Sequence, residues 1–448
     1  MYRIYKNIII IISIIVVICF ALVLFALFGD LGVKTDKNID TQNIAMKEQD
    51  DELTVLTTEN AFKDDGFINM SLADEANIAT ANEIKTNITI NEEPKLLTAE
   101  EKYKAKPDFK KVDTREKKDV FCFAGDVYLS KKPRTAYDEK GIEGIIDESY
   151  RKILDASDFN VANLECSITD DTENAEDKTF TFALPTKYAK VFKEVGFDLF
   201  TLANNHICDY GTDAMLNTIK TLDENEIIHI GAGKNVDEAK RAYIKEIEGK
   251  RYAFLSASSV LPNDNWKASY DKAGVFNGYD IRELCEEIRS VKPYVDKVIV
   301  YMHWGRELET VSNTWQKQYA RRIVDAGADL VIGAHSHTLQ EIEYYKNVPI
   351  VYSLGNFIYG GTMRDTMLLT ATFDYSIDKN GSLQLQIYPG VSNYEKVRRD
   401  WNKEVIKGKY TELQNKSSTC YIGDNGYIFT MEQVIEALKN LESSNEMN

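Results

Sequence analysis

The chain has 448 residues and carries 71 acidic against 54 basic side chains, a net charge of −17. That balance excludes nucleic acid as a partner, because a phosphate backbone demands a basic face. Its six cysteines include no C-x-x-C pair, and Cys19 lies in an apolar run, which excludes a disulfide framework and a four-cysteine zinc knot.

Residues 8–28 are apolar apart from Ser13, enough to cross a bilayer as a helix. Arg3 and Lys6 precede the run and Asp30 follows it, which puts the N-terminus inside and the remainder outside. A cleaved signal peptide is the competing reading. The run is longer than a usual h-region and no small-x-small site follows, so we read residues 1–28 as a cytoplasmic tip and an uncleaved single-pass anchor in the cell membrane. Residues 29–118 are rich in Asp, Glu, Lys, Asn and Thr and lack Cys, Trp and His. They read as a solvated extracytoplasmic stalk with a short helical piece near 99–106.

Composition changes at Asp119-Val120-Phe121-Cys122-Phe123-Ala124-Gly125, a buried-strand pattern. From there short apolar runs alternate with amphipathic stretches, which predicts an α/β domain over 119–390. Helices are expected over 145–156, 187–195, 211–225, 281–291 and 315–326. Strands are expected over 159–163, 199–203, 227–230 and 298–302, with a hairpin over 242–256. Gly231-Ala232-Gly233-Lys234 lacks the spacing of an NTP loop and reads as a tight turn. The strand-like runs 350–353, 367–375 and 383–388 lack intervening helices and suggest a second sheet. Helices over 401–413 and 431–441 make residues 391–448 a C-terminal helical extension.

Functional groups of open α/β sheets collect past the carboxyl ends of strands. Those ends read Gly125-Asp126, Asn163-Leu164-Glu165, Asn204-Asn205-His206, His303-Trp304-Gly305, His335-Ser336-His337 and Gly355-Asn356-Phe357. Four of the five histidines thus stand at strand ends; His229, inside a short strand, reads as a core residue. Extended backbone would aim His335 and His337 at one point, since side chains at i and i+2 share a face. Carboxylates, an amide and imidazoles converging at one sheet edge are what a mixed N/O divalent-metal site requires, and zinc, manganese or iron would suit it. Cys122, Cys166 and Cys208 have apolar or small neighbours and read as buried thiols.

Phe123-Ala124-Gly125-Asp126, Asn163-Leu164-Glu165, Ala203-Asn204-Asn205-His206 with Asp209-Tyr210-Gly211, His303-Trp304-Gly305, His335-Ser336-His337 and Ser353-Leu354-Gly355-Asn356-Phe357 carry a resemblance. Together they resemble the CapA family of poly-γ-glutamate capsule biosynthesis proteins, itself similar to calcineurin-like metallophosphatases. The resemblance implies a four-layer α/β/β/α sandwich with one or two metal ions at its loop ends. It implies that Asp126 and His337 hold one metal, that Asn205, His303 and His335 hold the other, and that Glu165 bridges them. By the same analogy His206 donates a proton to a leaving group, Asp209 and Arg306 orient ligands or bind an anionic substrate, and Asn356 joins the substrate side. Metallophosphatases carry Asp-x-His where this chain has Asp126-Val127-Tyr128, and Glu165 stands where a shorter Asp commonly bridges.

The expected function is a membrane-anchored, extracytoplasmic metal-dependent hydrolase of phosphoester or amide bonds in capsule or envelope polymer production. Its substrate would be an anionic polymer or another envelope component. The alternative is a non-catalytic accessory subunit that works beside other capsule synthesis and export subunits.

Overall fold

The structure, a computed structural model, describes residues 98–103, 118–173 and 175–446. The expected anchor and most of the expected stalk lie outside the described residues. Among the described residues no helix is long and apolar enough to cross a membrane. In chain order the main strands are β1 (Lys118–Val127), β2 (Phe159–Leu164), β3 (Leu199–Thr201), β4 (Ile228–Ile230), β5 (Tyr243–Ile247), β6 (Lys250–Ser258), β7 (Lys297–His303), β8 (Leu330–Ala334), β9 (Ile342–Tyr345), β10 (Val348–Val351), β11 (Arg364–Asp374), β12 (Ser382–Ser392), β13 (Val397–Arg399), β14 (Cys420–Ile422) and β15 (Tyr427–Thr430).

They form two mixed sheets. The larger runs β14-β15-β12-β11-β1-β2-β3-β4, with β13 paired to the last residues of β12; the smaller runs β9-β10-β8-β7-β6-β5. Parallel pairing joins β1 to β4 in one sheet and β6, β7, β8 and β10 in the other. The strand period decides the layers. Phe121, Phe123, Phe159 and Val161 of the larger sheet share one core with Tyr252, Phe254, Ile299, Tyr301, Leu330 and Ile332 of the smaller. Their neighbours point the other way. Cys122, Ala124, Ala162 and Leu164 pack with Tyr150, Leu154, Phe192 and Met215 of the helices Glu148–Asp155, Ala189–Val195 and Gly211–Glu224. Ala253, Leu255, Val298, Val300 and Val331 pack with Leu284, Ile288, Ala320 and Ile323 of Arg282–Val291 and Thr314–Ala326. Two sheets therefore face each other, with helices on both outer sides. The mixed α/β class is as expected.

Local chemistry sets the element ends. Asn313 caps Thr314–Ala326 in a reciprocal box with Gln316, and Gly327 closes the helix in the left-handed region at φ +119°. At the sheet edge the backbones come unusually close. A Cβ on Gly125 would stand 1.8 Å from the Gly355 carbonyl oxygen, so only glycine lets the 353–357 loop cross the end of β1. The crossing is fixed by Asp126 N–H donating to Gly355 O at 3.0 Å and Phe357 N–H donating to Asp126 O at 2.8 Å.

Several expectations are corrected. Residues 391–448 are not a purely helical extension: β13, β14 and β15 join the larger sheet, and the helix Lys403–Lys416 buries Tyr410 and Leu413 in the inter-sheet core. These strands have three or four residues, too few for a periodicity to be read. The strand-rich stretch does not make the second sheet by itself. Val348–Val351 belongs to the smaller sheet and β11 and β12 to the larger one. A helix at Lys131–Lys140 was not foreseen; its Pro133 sits in the first turn, where no backbone donor is lost. Finally, Ala99–Tyr103 is not free stalk, because Lys102 and the buried Tyr103 hydroxyl both reach Glu287.

At the far end of β1, burial pushes the Asp119 carboxyl up to about 6, with the Tyr252 hydroxyl offsetting part of the rise and the Asp158 carboxylate adding to it. A raised pKa means the folded state prefers the protonated acid, so the carboxyl's contribution is lost as pH climbs through 6. Asp119→Asn, which still accepts from Tyr252, should raise Tm at pH 8, with the gain shrinking toward pH 5. A gain independent of pH would show that charge is not the cause.

Candidate metal centre

Both sheets deliver their ligand-type residues to one edge. Asp126 ends β1 beside Asn163 of β2, and Glu165 follows β2 directly. His303 ends β7, paired in register with Ala334 at the end of β8. His335 and His337 then follow, but not in extended backbone: their φ angles are +96° and +56°. Alternation along a strand therefore does not bring them together. Left-handed turns do, at a cost of order 1–3 kcal/mol for each non-glycine residue so held. Strain of that kind persists only where the surroundings over-determine it.

Glu165 is the hub. It is fully buried, and neither carboxylate oxygen has a hydrogen-bond partner. Oε1 lies 3.4 Å from His303 Nε2, and Oε2 lies 3.8 Å from His337 Nδ1. Two groups of ligand atoms, each within 4.8 Å, share this one residue: Glu165 with His303 and His335, and Asp126 with Glu165 and His337. A buried carboxylate left unpaired is costly by several kcal/mol. The orphaned oxygens, flanked by imidazoles and a second carboxylate, make a donor set that fits divalent first-row cations.

The ligands are braced from behind. Asn163 Nδ2 donates to Asp126 Oδ1 at 2.8 Å, and the His335 backbone N–H donates to Asp126 Oδ2 at 3.1 Å. Thr201 and Asn204 in turn donate to Asn163 Oδ1, fixing the amide's orientation. Asn205 Oδ1 lies 2.7 Å from His303 Nε2, and His335 Nδ1 lies 3.1 Å from the same nitrogen. Asn356 Oδ1 lies 2.7 Å from His337 Nδ1. The bonds from Asn163, Thr201, Asn204 and Asn356 are outer contacts that set ligand orientation and basicity, whereas Asn205, His303 and His335 bring their own donor atoms together.

Electrostatics follow from the crowding. Burial would raise the Glu165 carboxyl, but His337 and His303 outweigh it and hold the group well below the usual carboxylate range. Burial and the neighbouring His303 hold His335 well below its ordinary value. His337 is pushed up to about 9: burial opposes the rise, and the Glu165 and Asp126 carboxylates overcome it.

Beside this cluster stands a second unit. His206 Nδ1 lies 2.6 Å from Asp209 Oδ2, and its ring stacks on Phe182 with centroids 4.0 Å apart. Asp209 is itself held by Lys178 Nζ at 2.5 Å and by the Phe182 backbone N–H at 2.7 Å. The imidazole is thus fixed through Nδ1, which leaves Nε2 for another partner.

Residues 120–360 match the model of the family described as bacterial capsule synthesis protein PGA_cap. The chain belongs to that family. Every ligand and brace above falls inside the matched span. Among its relatives, the PGA biosynthesis protein CapA of Bacillus subtilis (strain 168) is 30% identical over 311 residues, covering 68% of this chain and 80% of that protein. The capsule biosynthesis protein CapA of Bacillus anthracis is 28% identical over 275 residues, covering 60% and 66%. A solved structure described as a novel phosphatase from Mycoplasma pneumoniae is 14% identical at a TM-score of 0.41, covering 67% of this chain and all of that one.

In this PGA_cap protein the structure gathers Asp126, Glu165, Asn205, His303, His335 and His337 in one place, with His206 and Asp209 beside them. Asn356 is at the cluster too, but its amide oxygen is engaged by His337. Arg306 is not: its side chain is 79% exposed and lies 3.7 Å from Glu309. His229 is half-buried and lies against Asp223, away from the cluster. The five described cysteines are free and buried, as expected for Cys122, Cys166 and Cys208. Sequence reasoning missed Lys178, Phe182 and Tyr359. The first two sit in a polar loop without periodicity, and the only signal for Tyr359 was its place just beyond Asn356-Phe357.

Proposed function

We propose that this protein is a metal-dependent hydrolase of phosphoester or amide bonds, anchored in the cell membrane with its folded domain outside. It would act in the production of poly-γ-glutamate capsule or another anionic envelope polymer. The observation that carries the reading is Glu165, whose two buried, partnerless oxygens face two histidine-containing ligand groups. Divalent ions held there would polarise the scissile group and acidify the attacking water. Asp126 and His337 would hold one ion, and His303, His335 and Asn205 the other, with Glu165 shared. Asp126 also accepts from Asn163 and the His335 backbone, so its carboxylate cannot swing away from the cluster. His206, oriented by Asp209, would present Nε2 to the departing group as a proton donor.

A second reading, a non-catalytic subunit of a synthesis and export complex, is favoured by the charge of −17, which repels an acidic polymer. One experiment separates the two. Full-length protein is loaded with zinc or manganese, its metal content measured, and its turnover screened on phosphoesters and γ-glutamyl amides. The hydrolase reading expects bound metal and turnover, both lost in a His335→Ala/His337→Ala double variant. A parent that takes up neither metal leaves the non-catalytic subunit as the better account.

A further inference from the structure

Tyr359 has no part in the chemistry described so far, yet its hydroxyl is buried without a hydrogen-bond partner. Buried polar groups in native proteins are almost always paired, so an orphan of this kind marks a partner still to arrive. Its position says where. The Tyr359 ring lies 5.1 Å from the His337 ring, centroid to centroid, and its hydroxyl faces the Glu165 carboxylate without a hydrogen bond of ordinary geometry, with Asp126 the next acid to act on it. Tyr128 and Phe182 pack edge-on against the same ring at 5.9 Å each, and Phe182 is the residue stacked on His206. The phenol thus stands between the ligand cluster and the proposed proton donor.

Three buried polar atoms without partners, the two Glu165 oxygens and the Tyr359 hydroxyl, therefore gather at one spot. Cations satisfy the carboxylate but cannot satisfy a phenol O–H. The Tyr359 hydroxyl makes no hydrogen bond of ordinary geometry to Glu165, and cations drawing on that carboxylate would weaken it as an acceptor, which favours an oxygen brought by a ligand. The hydroxyl is also held in place beforehand, as a group that acts on developing charge has to be. Tyr128 N–H donates to Ile358 O at 2.8 Å, one residue before the tyrosine. One residue after it, Gly360 has φ +86°, and a Cβ there would lie 2.1 Å from Ser130 Oγ and 2.6 Å from Pro133 Cδ. The backbone on both sides of Tyr359 is pinned to the segment that follows β1. Arg306, the candidate that the sequence offered for an anion, points to solvent; Tyr359 offers its donor from inside.

We propose that Tyr359 is a catalytic residue whose hydroxyl donates a hydrogen bond to an oxyanion seated at the Glu165 cluster, either a phosphoryl oxygen or the oxygen of a tetrahedral carbon. The inference rests on the hydrolase reading above. Its test uses full-length protein loaded with zinc or manganese, with inorganic phosphate as the probe. Tyr359→Phe keeps the ring and removes only the hydroxyl. The variant should hold the parent's metal content, melt no lower than the parent, and bind phosphate roughly 10- to 100-fold more weakly by calorimetry. Unchanged phosphate affinity at unchanged metal content overturns the role of Tyr359 and leaves the hydrolase reading standing. Metal lost from the variant also overturns it, since the tyrosine would then be a support for the ligands. A loaded parent that does not bind phosphate overturns it as well. A parent that binds no metal overturns both.

Discussion

Glu165→Gln is expected to empty both halves of the metal centre at once, the largest single effect of any substitution in this protein. The change keeps the side chain's size, so the fold around it has no cavity to absorb. What it removes is the one carboxylate common to both ligand groups, and it puts an amide N–H₂ among imidazoles that need a negative partner. Losing an outer brace costs about 10- to 100-fold in metal affinity. Losing the shared ligand should cost at least about 100-fold at each site. Elemental analysis after gel filtration reads this directly. Thermal melting reads it independently: an ion at 100 times its Kd adds about 2.7 kcal/mol per site to the folded state. A chelator should therefore lower Tm in the parent and leave it unchanged in the variant. Retention of the parent's metal content by Glu165→Gln would show that the carboxylate is not the shared ligand.

His206→Gln should lower kcat by about 10²- to 10⁴-fold, the usual weight of a positioned general acid, without loss of metal. The imidazole touches neither ligand group in the described structure; it is held by Asp209 on one side and Phe182 on its face. Its removal should therefore leave loading and KM nearly as they were. The nature of the leaving group sharpens the test. A nitrophenolate departs without needing a proton, whereas an alkoxide or an amine needs one. The variant should lose far more rate on an alkyl phosphoester or an amide than on a nitrophenyl ester. Equal losses on both kinds of substrate would mean that His206 shapes the site and transfers no proton.

The sequence determined by itself whatever depends on near neighbours. Alternation in Phe121, Cys122, Phe123 and Ala124 is a period of two, and the structure sends the phenylalanines to the inter-sheet core and the small residues under the helices. The ligand types were legible for the same reason. In a parallel sheet the chemistry collects where strands end, so Asp126, Glu165, His206, His303 and His335 could be found by finding strand ends. Even the ordered motifs that suggested the family are local strings.

What only the tertiary structure decided are contacts between residues far apart in the chain. His335 and His337 were placed together by an extended-strand argument, yet left-handed turns hold them, where the His335 N–H donates to Asp126 and the Leu308 N–H donates to Ser336 O. Arg306 faces solvent, although its neighbours His303 and Trp304 are buried. Phe182 on His206, Lys178 on Asp209 and Tyr359 beside His337 carry no local pattern at all. Each comes from a loop whose path is set by what it packs against. A period can be read along a chain, whereas a loop's path is set by the packing of two sheets that no short window of sequence contains.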